Sequence, residues 1–438
     1  MKAYIKTFGC QMNEHDTERM YDILVNLGYA HSPNETEADL IILNSCSVRD
    51  KSEHKVFSHI GSLKELKEEN PNLLIGVGGC VAEQEGSQIL QRMKHVDFVF
   101  GTHNIDKLEE LVSNAQRGYS STSITGFRND FKFLSNYNYR TPKISEFITI
   151  TSGCNKYCTF CIVPYVRGKE ISRDFQEILN VCRELVSKGT REIHLIGQNV
   201  NSYTYQENRK KYVFADLLRA IADIDGVDRI RFTTSHPRDL TDALIDCFRT
   251  EEKLASHLHL PVQCGSNRVL KKMIRNYTKE TYVEKVARLR EARSDIALTS
   301  DIIVGFPTET EEEFEETLDL IREIKYYDLF SFIYSKRKGT RAAAIEETYT
   351  QAQKFNRLYR LHGIQNEITT TLHKEYEGKR FDVLVEGFSK KDDKKYEGRT
   401  STNKVVHFFS DASLKGKTVP VRITKAQKHF LEGEVICQ

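Results

Sequence analysis

The chain has 438 residues, and its 64 Lys and Arg against 62 Asp and Glu leave a net charge of +2. Hydrophobic residues make up 39% and charged residues 29%, which excludes a disordered chain, and no run of about 18 apolar residues occurs, which excludes a spanning helix. The near-neutral balance excludes a globally basic nucleic-acid binder, though not a locally basic one, and at roughly 100–200 residues per domain the length predicts two to four domains.

The opening stretch, MKAYIKTFGC, has no apolar segment of the kind that marks a secretory signal. A cytoplasmic chain with no membrane partner is expected. Its ten cysteines should then be thiols, serving as metal ligands or catalytic groups rather than disulfides.

Residues 1–113 read as an α/β domain. Ala3–Thr7, Asp39–Asn44 and Leu73–Val77 are short β-prone runs, separated by helical patterns at Glu14–Leu27 and Asp50–Glu69. Such alternation predicts a parallel sheet with crossover helices. Residues 114–139 are rich in Ser, Thr, Asn and Gly and read as a linker. Residues 140–374 repeat the alternation. Phe147–Thr151, Glu192–Ile196, Arg229–Thr234, Leu258–Val262, Ala297–Val304 and Leu329–Tyr334 are strand candidates with helical patterns between them. Six such units predict a partial TIM-like (βα)6 barrel, whose functional loops follow the strand ends. A helix over Gln351–Leu372 leads to residues 375–438, where Arg380–Glu386, Val405–Phe409, Val419–Thr424 and Leu431–Ile436 predict a small β-barrel. Charge is uneven: residues 1–135 carry −5, residues 136–374 carry +4 and residues 375–438 carry +3.

The sharpest motif is Gly153-Cys154-Asn155-Lys156-Tyr157-Cys158-Thr159-Phe160-Cys161, directly after a predicted strand. Three thiolates on so short a loop can turn to one centre. A cubane iron–sulfur cluster takes four such ligands, so three leave one iron open. The competing reading is a zinc knuckle, which needs a fourth Cys or His nearby, and no further cysteine follows before Cys182. A second set, Cys10, Cys46 and Cys80, is spread along the chain. Each follows a predicted strand, and in a parallel sheet those positions meet at one edge. They form either a second three-thiolate site or three buried structural cysteines. Cys182 and Cys247 fall on predicted helices and read as packing residues, and Cys437 as incidental. Cys264 falls in a strand-end loop, where a small side chain is the favoured reading. His236, before Pro237, reads as a cap or loop-orienting residue rather than a base. Polar groups recur after the barrel strands, as in Gly197–Tyr203, Phe232–Pro237 and Asp301–Pro307, which suits a polar ligand across the mouth.

Gly153 to Gly168, together with Thr7-Phe8-Gly9-Cys10-Gln11-Met12-Asn13, resembles the radical S-adenosylmethionine (SAM) methylthiotransferases over essentially the whole chain, and most closely their tRNA branch. The resemblance implies an enzyme that adds a methylthio group to C2 of N6-isopentenyladenosine at position 37 of tRNA, using two SAM and two [4Fe–4S] clusters. It implies that Cys154, Cys158 and Cys161 hold the cluster whose open iron chelates SAM, and that cleavage of SAM yields a 5′-deoxyadenosyl radical. It implies that Cys10, Cys46 and Cys80 hold an auxiliary cluster carrying the sulfur, with a second SAM giving the methyl group. Family analogy also places SAM contacts at Phe160, Gln198, Ser235, Gln263, Arg275 and Asp301, with no catalytic residue beyond the cluster ligands.

The tail resembles the TRAM domain, an RNA-binding barrel, and implies the anticodon arm of tRNA as partner. Lys390, Lys391, Lys394, Lys395 and Arg399 read as one loop that either contacts phosphates or is a solvated hairpin tip. Phe408, Phe409 and Tyr396 either stack on bases or belong to the core. An electron donor of flavodoxin or ferredoxin type, a sulfur or cluster donor protein, and a monomeric state are further expectations. The chain departs from the family at Cys264, commonly Ser, and at Thr308, commonly Gly. The alternatives are a methylthiotransferase for threonylcarbamoyl-tRNA or a ribosomal protein, and a non-catalytic metal-binding RNA-binding protein.

Overall fold

The structure is a computed structural model and describes residues 1–47, 50–119, 121–133 and 140–436. Cys437 and residues 134–139 of the expected linker lie outside the described residues. The chain forms two compact units. The first joins Met1–Thr141 with Ser152–Tyr157 and Cys161–Ile171; the second holds Pro142–Thr151, Cys158–Phe160 and Ser172–Gln438. The expected boundary near residue 139 is therefore incomplete, since two segments beyond it count with the first unit.

The first unit is built on a six-stranded sheet. Its spatial order is Ala30–His31, Lys2–Thr7, Leu40–Ser45, Leu74–Gly79, Phe98–Phe100 and Thr122–Ile124, and every pairing is parallel. Helices cover both faces. Met20, Tyr21 and Leu24 of helix Gln11–Asn26 pack on one side with Leu108, Leu111 and Val112. Val56, Ile60 and Leu63 of helix Asp50–Glu69 pack on the other. Double coverage explains why Leu40–Ser45 and Leu74–Gly79 are buried along their whole length and read as continuous apolar runs. The expected linker is corrected here. Helix Leu108–Gln116 extends into it, and Thr122–Ile124 is the last strand of the sheet. Three polar and β-branched residues on an edge strand carry too little apolar signal to be read as a strand.

In the second unit six parallel strands run in chain order: Ser145–Thr149, Glu192–Ile196, Arg229–Phe232, His257–His259, Ala297–Val304 and Asp328–Ile333. They form two hydrogen-bonded triplets. Backbone bonds from Ile230 to Lys253 O and from Ala255 to Ile230 O join the triplets. The fourth strand is shorter than expected because Pro261 offers no N–H. Beyond it, the Ser300 hydroxyl takes over by accepting from Val262 N at 2.9 Å.

The tail closes into a five-stranded barrel in the order Arg380–Ser389, Asp392–Thr400, Val405–Phe409, Leu431–Val435 and Thr418–Ala426. The expected lysine loop is mostly strand: only Lys390 and Lys391 form the turn, while Lys394, Lys395 and Arg399 lie on Asp392–Thr400. Its charged residues alternate with Tyr396 and other inward positions, and that alternation hides a strand among lysines. A polar seam joins this barrel to the base of the larger one. Arg229 Nη1 donates to Arg399 O at 2.9 Å, Arg231 Nη1 to Ser401 O at 3.3 Å, and Ser256 N to Ser401 Oγ at 2.8 Å. Both arginines also face the buried carboxylate of Glu192, at 3.5 and 3.3 Å. No helix of the described residues is long and apolar enough to cross a membrane.

Candidate thiolate and cofactor sites

Cys10, Cys46 and Cys80 lie at the carboxyl edge of three adjacent strands of the first unit. Cys10 caps helix Gln11–Asn26, Cys46 follows Leu40–Ser45, and Cys80 opens helix Cys80–Glu85. Gly9 makes their approach possible. Its φ is +113°, and a Cβ there would fall 2.3 Å from Cys46 Cβ. Polar side chains tie the three loops together. Asn13 Nδ2 donates to Ser45 O at 2.8 Å, Asn44 Nδ2 donates to Asn13 O at 2.8 Å, and Ser45 Oγ accepts from Val81 N at 3.1 Å. Cys46 and Cys80 are buried, whereas Cys10 is exposed at the rim. A hydrogen bond with Cys46 leads in pulling the Cys10 thiol down to about 6, and the Arg167 charge assists. Burial pushes Cys80 up, and Arg167 counters it.

Arg167 comes from the segment Cys161–Ile171 of the same unit. It is buried, and its Nη2 donates to Asp16 Oδ2 at 2.7 Å and Asn13 Oδ1 at 3.2 Å. Its carbonyl contacts His103 Nε2 at 3.0 Å, and the preceding Val166 carbonyl accepts from Thr102 Oγ1 at 2.8 Å. Ile162 and Val166 pack on Cys80.

The barrel motif turns sharply. Gly153 has φ +78°, and a Cβ there would lie 2.2 Å from Lys169 O; Cys154 N donates to Gly168 O at 3.1 Å. Tyr157 also adopts a left-handed conformation, at φ +50°. Cys154 and Cys161 are half-buried and Cys158 is buried.

Within the second unit, Phe160, Gln198, Ser235 and Gln263 fall in loops after strands, Asp301 lies within strand Ala297–Val304, and Arg275 follows helix Asn267–Lys272. Phe160 packs beside Val269, Leu270 and Met273. Gln198 follows Glu192–Ile196, and Ser235 follows Arg229–Phe232. The loops carrying them are zipped by Val200 N to Thr234 O at 2.9 Å and by His236 N to Asn201 Oδ1 at 2.9 Å. Gln263 N donates to Asp301 O at 2.9 Å, which joins those two residues. The Asp301 carboxylate stands 3.5 Å from His259 Nε2. Arg275 is buried and donates to Pro261 O at 2.5 Å, to Tyr277 OH at 3.0 Å and toward Cys158 Sγ at 3.5 Å. Ser235 Oγ is buried with no hydrogen-bond partner among the described residues. His236 caps the following turn, accepting from Arg238 N at 3.2 Å.

Three family models match the chain: Uncharacterized protein family UPF0004 over residues 2–101, the Radical SAM superfamily over 148–321 and the TRAM domain over 374–436. A tRNA-2-methylthio-N(6)-dimethylallyladenosine synthase of Carboxydothermus hydrogenoformans is 47% identical over 99% of this chain and 99% of its own. The chain belongs to the tRNA-2-methylthio-N(6)-dimethylallyladenosine synthase family. A second member, from Geotalea uraniireducens, is 46% identical over 99% of this chain and 98% of its own. Among solved structures, the radical SAM methyltransferase TsrM of Kitasatospora setae superimposes with a TM-score of 0.55 at 13% identity, over 78% of this chain and 74% of that one. That likeness is one of fold.

The donor sets of this family member fit iron–sulfur clusters. No group of three or more His, Cys, Asp or Glu among the described residues is arranged to hold a metal ion. Each set nevertheless supplies three cysteine sulfurs, the donor chemistry that an iron–sulfur cluster takes. The remaining described cysteines are spent on packing. Burial pushes Cys182 up to about 12, Cys247 up to about 11 and Cys264 up to about 12. Cys264 Sγ is buried and sits 3.4 Å from the Thr317 hydroxyl. Thr308, where the resemblance implies glycine, has φ +71°, a conformation that suits glycine.

Arg167, Asn13, Asp16 and Tyr277 are the neighbours that sequence reasoning left without a role. Arg167 and Asn13 stand inside the two quoted motifs, so their positions were visible but their partnership was not. In the tail, Tyr396 and Phe408 are core residues, while Phe409 is 60% exposed with Lys395 Nζ 5.0 Å from its ring centroid. Phe388, 58% exposed and stacked on Tyr396, is a further aromatic that the sequence did not single out.

Proposed function

We propose that this chain adds a methylthio group to C2 of N6-isopentenyladenosine at position 37 of tRNA. The 47% identity over 99% of the chain to a synthase of that name carries the reading. Cys154, Cys158 and Cys161 would hold one [4Fe–4S] cluster and Cys10, Cys46 and Cys80 a second, each set leaving an iron corner open. When bound, the clusters and SAM supply the electron, radical, sulfur and methyl group that an unactivated aromatic C2–H requires. The chain's own groups hold and orient. Ser235 offers a buried hydroxyl without a partner among the described residues, the backbone pairs Gln263 with Asp301, and Gln198 and Phe160 complete the SAM contacts. Arg275 takes a supporting place behind Cys158, since protein atoms occupy its guanidinium. In the tail, Phe409 and Phe388 offer stacking faces and Lys395 a charge for the anticodon arm.

A cytoplasmic monomer served by a flavodoxin- or ferredoxin-type donor and by a sulfur or cluster donor protein completes the reading. Its nine free described cysteines suit a reducing compartment. The test incubates the reconstituted full chain with SAM, sulfide, reductant and isopentenylated tRNA, then digests the tRNA for mass spectrometry. The methylthio nucleoside is expected. A product found instead on threonylcarbamoyl-tRNA or on a ribosomal protein would overturn the substrate. Zinc without charge-transfer absorption would overturn the chemistry.

A further inference from the structure

We propose that Arg167 sets the charge of the Cys10–Cys46–Cys80 site, to which it is delivered by the segment that follows the barrel's cysteine motif. The inference rests on reading those three cysteines as cluster ligands. Three thiolates gathered at one sheet edge repel one another, and the helix Gln11–Asn26 brings the carboxylate of Asp16 to the same place. Arg167 is the cation bonded among them, while Arg19 Nη1 stands 4.0 Å from the other Asp16 oxygen. Arg167 is buried and bonded to Asp16 and to Asn13, whose Oδ1 also stands 3.6 Å from Cys10 Sγ, and the residue before it packs on Cys80.

The placement is built rather than incidental. The Arg167 and Val166 carbonyls are clamped by His103 and Thr102, and Ile162 and Val166 pack against Cys80 itself. A guanidinium held this firmly cannot swing to solvent, so its field stays on the sulfurs. The potential of an iron–sulfur centre follows net charge and hydrogen bonds to its sulfurs, and groups behind the ligands tune it. A cluster becomes more negative on reduction, so the Arg167 cation favours the reduced form. Asp16, at the other end of the ion pair, works in the opposite sense.

The test uses the full-length chain with Cys154, Cys158 and Cys161 all changed to Ala, so that only this site remains. After reconstitution it should carry about four iron atoms per chain. Its midpoint potential is then read by titration monitored with electron paramagnetic resonance. Arg167→Gln should lower the potential, Asp16→Asn should raise it, and Arg167→Lys should stay near the parent, all at unchanged iron content. Opposite shifts from the two ends of one ion pair are not expected of a merely structural contact. Shifts of the same sign, or none, would overturn the inference. Should Arg167→Gln fail to fold, Asp16→Asn decides alone: a rise supports the proposal and its absence overturns it. An iron-free parent would overturn the cluster reading together with this one, whereas bound iron with unmoved potentials would overturn this one only.

Discussion

Changing Arg231 to Met tests the seam between the two barrels of the second unit. Arg231 is almost completely buried and faces Glu192 Oε2 at 3.3 Å, while its Nη atoms donate to the carbonyls of Thr400 and Ser401. Removing one member of a buried charge cluster typically costs about 3–5 kcal/mol, and Glu192 then keeps only Arg229, at 3.5 Å, of its two arginines. With roughly 2 cal/mol/K of unfolding entropy per residue spread over the second unit, this becomes a fall of roughly 5–9 °C in its calorimetric midpoint. Adding Glu192→Met should recover part of the loss, because the buried carboxylate that lost one of its two cations goes with it. The pH dependence carries a sign. Burial alone would raise the Glu192 carboxyl, but Arg231, Arg229 and His194 hold it at about 2 against the ordinary 4.5. A carboxyl so depressed stabilises the fold by about 3 kcal/mol above pH 4.5, and that contribution is lost as pH falls towards 2. The stability gap between parent and double variant should therefore shrink over that window. A cost below about 1 kcal/mol for Arg231→Met, or additive single and double variants, would refute the reasoning.

Cys46→Ala should lower the iron content from about eight to about four atoms per chain, and should abolish sulfur insertion while leaving SAM cleavage, read as 5′-deoxyadenosine release. Ser235→Ala removes a buried hydroxyl with no described protein partner, so the apo melting temperature should hold while the SAM KM rises roughly ten-fold. Phe409→Ala should weaken tRNA binding by about 1–3 kcal/mol, measured by filter binding at fixed salt, with kcat little changed. Lys395→Gln should reduce the salt slope by about one ion, which a titration of Kd against salt resolves.

The sequence was most informative where a pattern is local. The cysteine motif spans nine residues, and the barrel strands alternate with helices at regular spacing, so both could be read directly. The Cys10, Cys46 and Cys80 set could be read only through topology, because their meeting depends on three strands being adjacent and parallel. Arg167 was not legible as a partner of Asp16, since no periodicity links residues so far apart in the chain. The strand Asp392–Thr400 was missed for a different reason. Its outward face is charged enough to look like a loop, and only the inward Tyr396 and its alternation reveal a strand. The short edge strand Thr122–Ile124 had too few apolar residues to stand out from a linker.

The seam at Arg229, Arg231 and Ser401 has a kinetic consequence. A domain joined by a flexible tether explores a volume, and each captured ligand must search for the catalytic mouth at an effective concentration set by tether length. Here the small barrel is fastened to the base of the large one by guanidiniums and a seryl hydroxyl, with no slack between them. The tail therefore acts as a fixed gauge. A tRNA held on it would meet the larger barrel at a set distance.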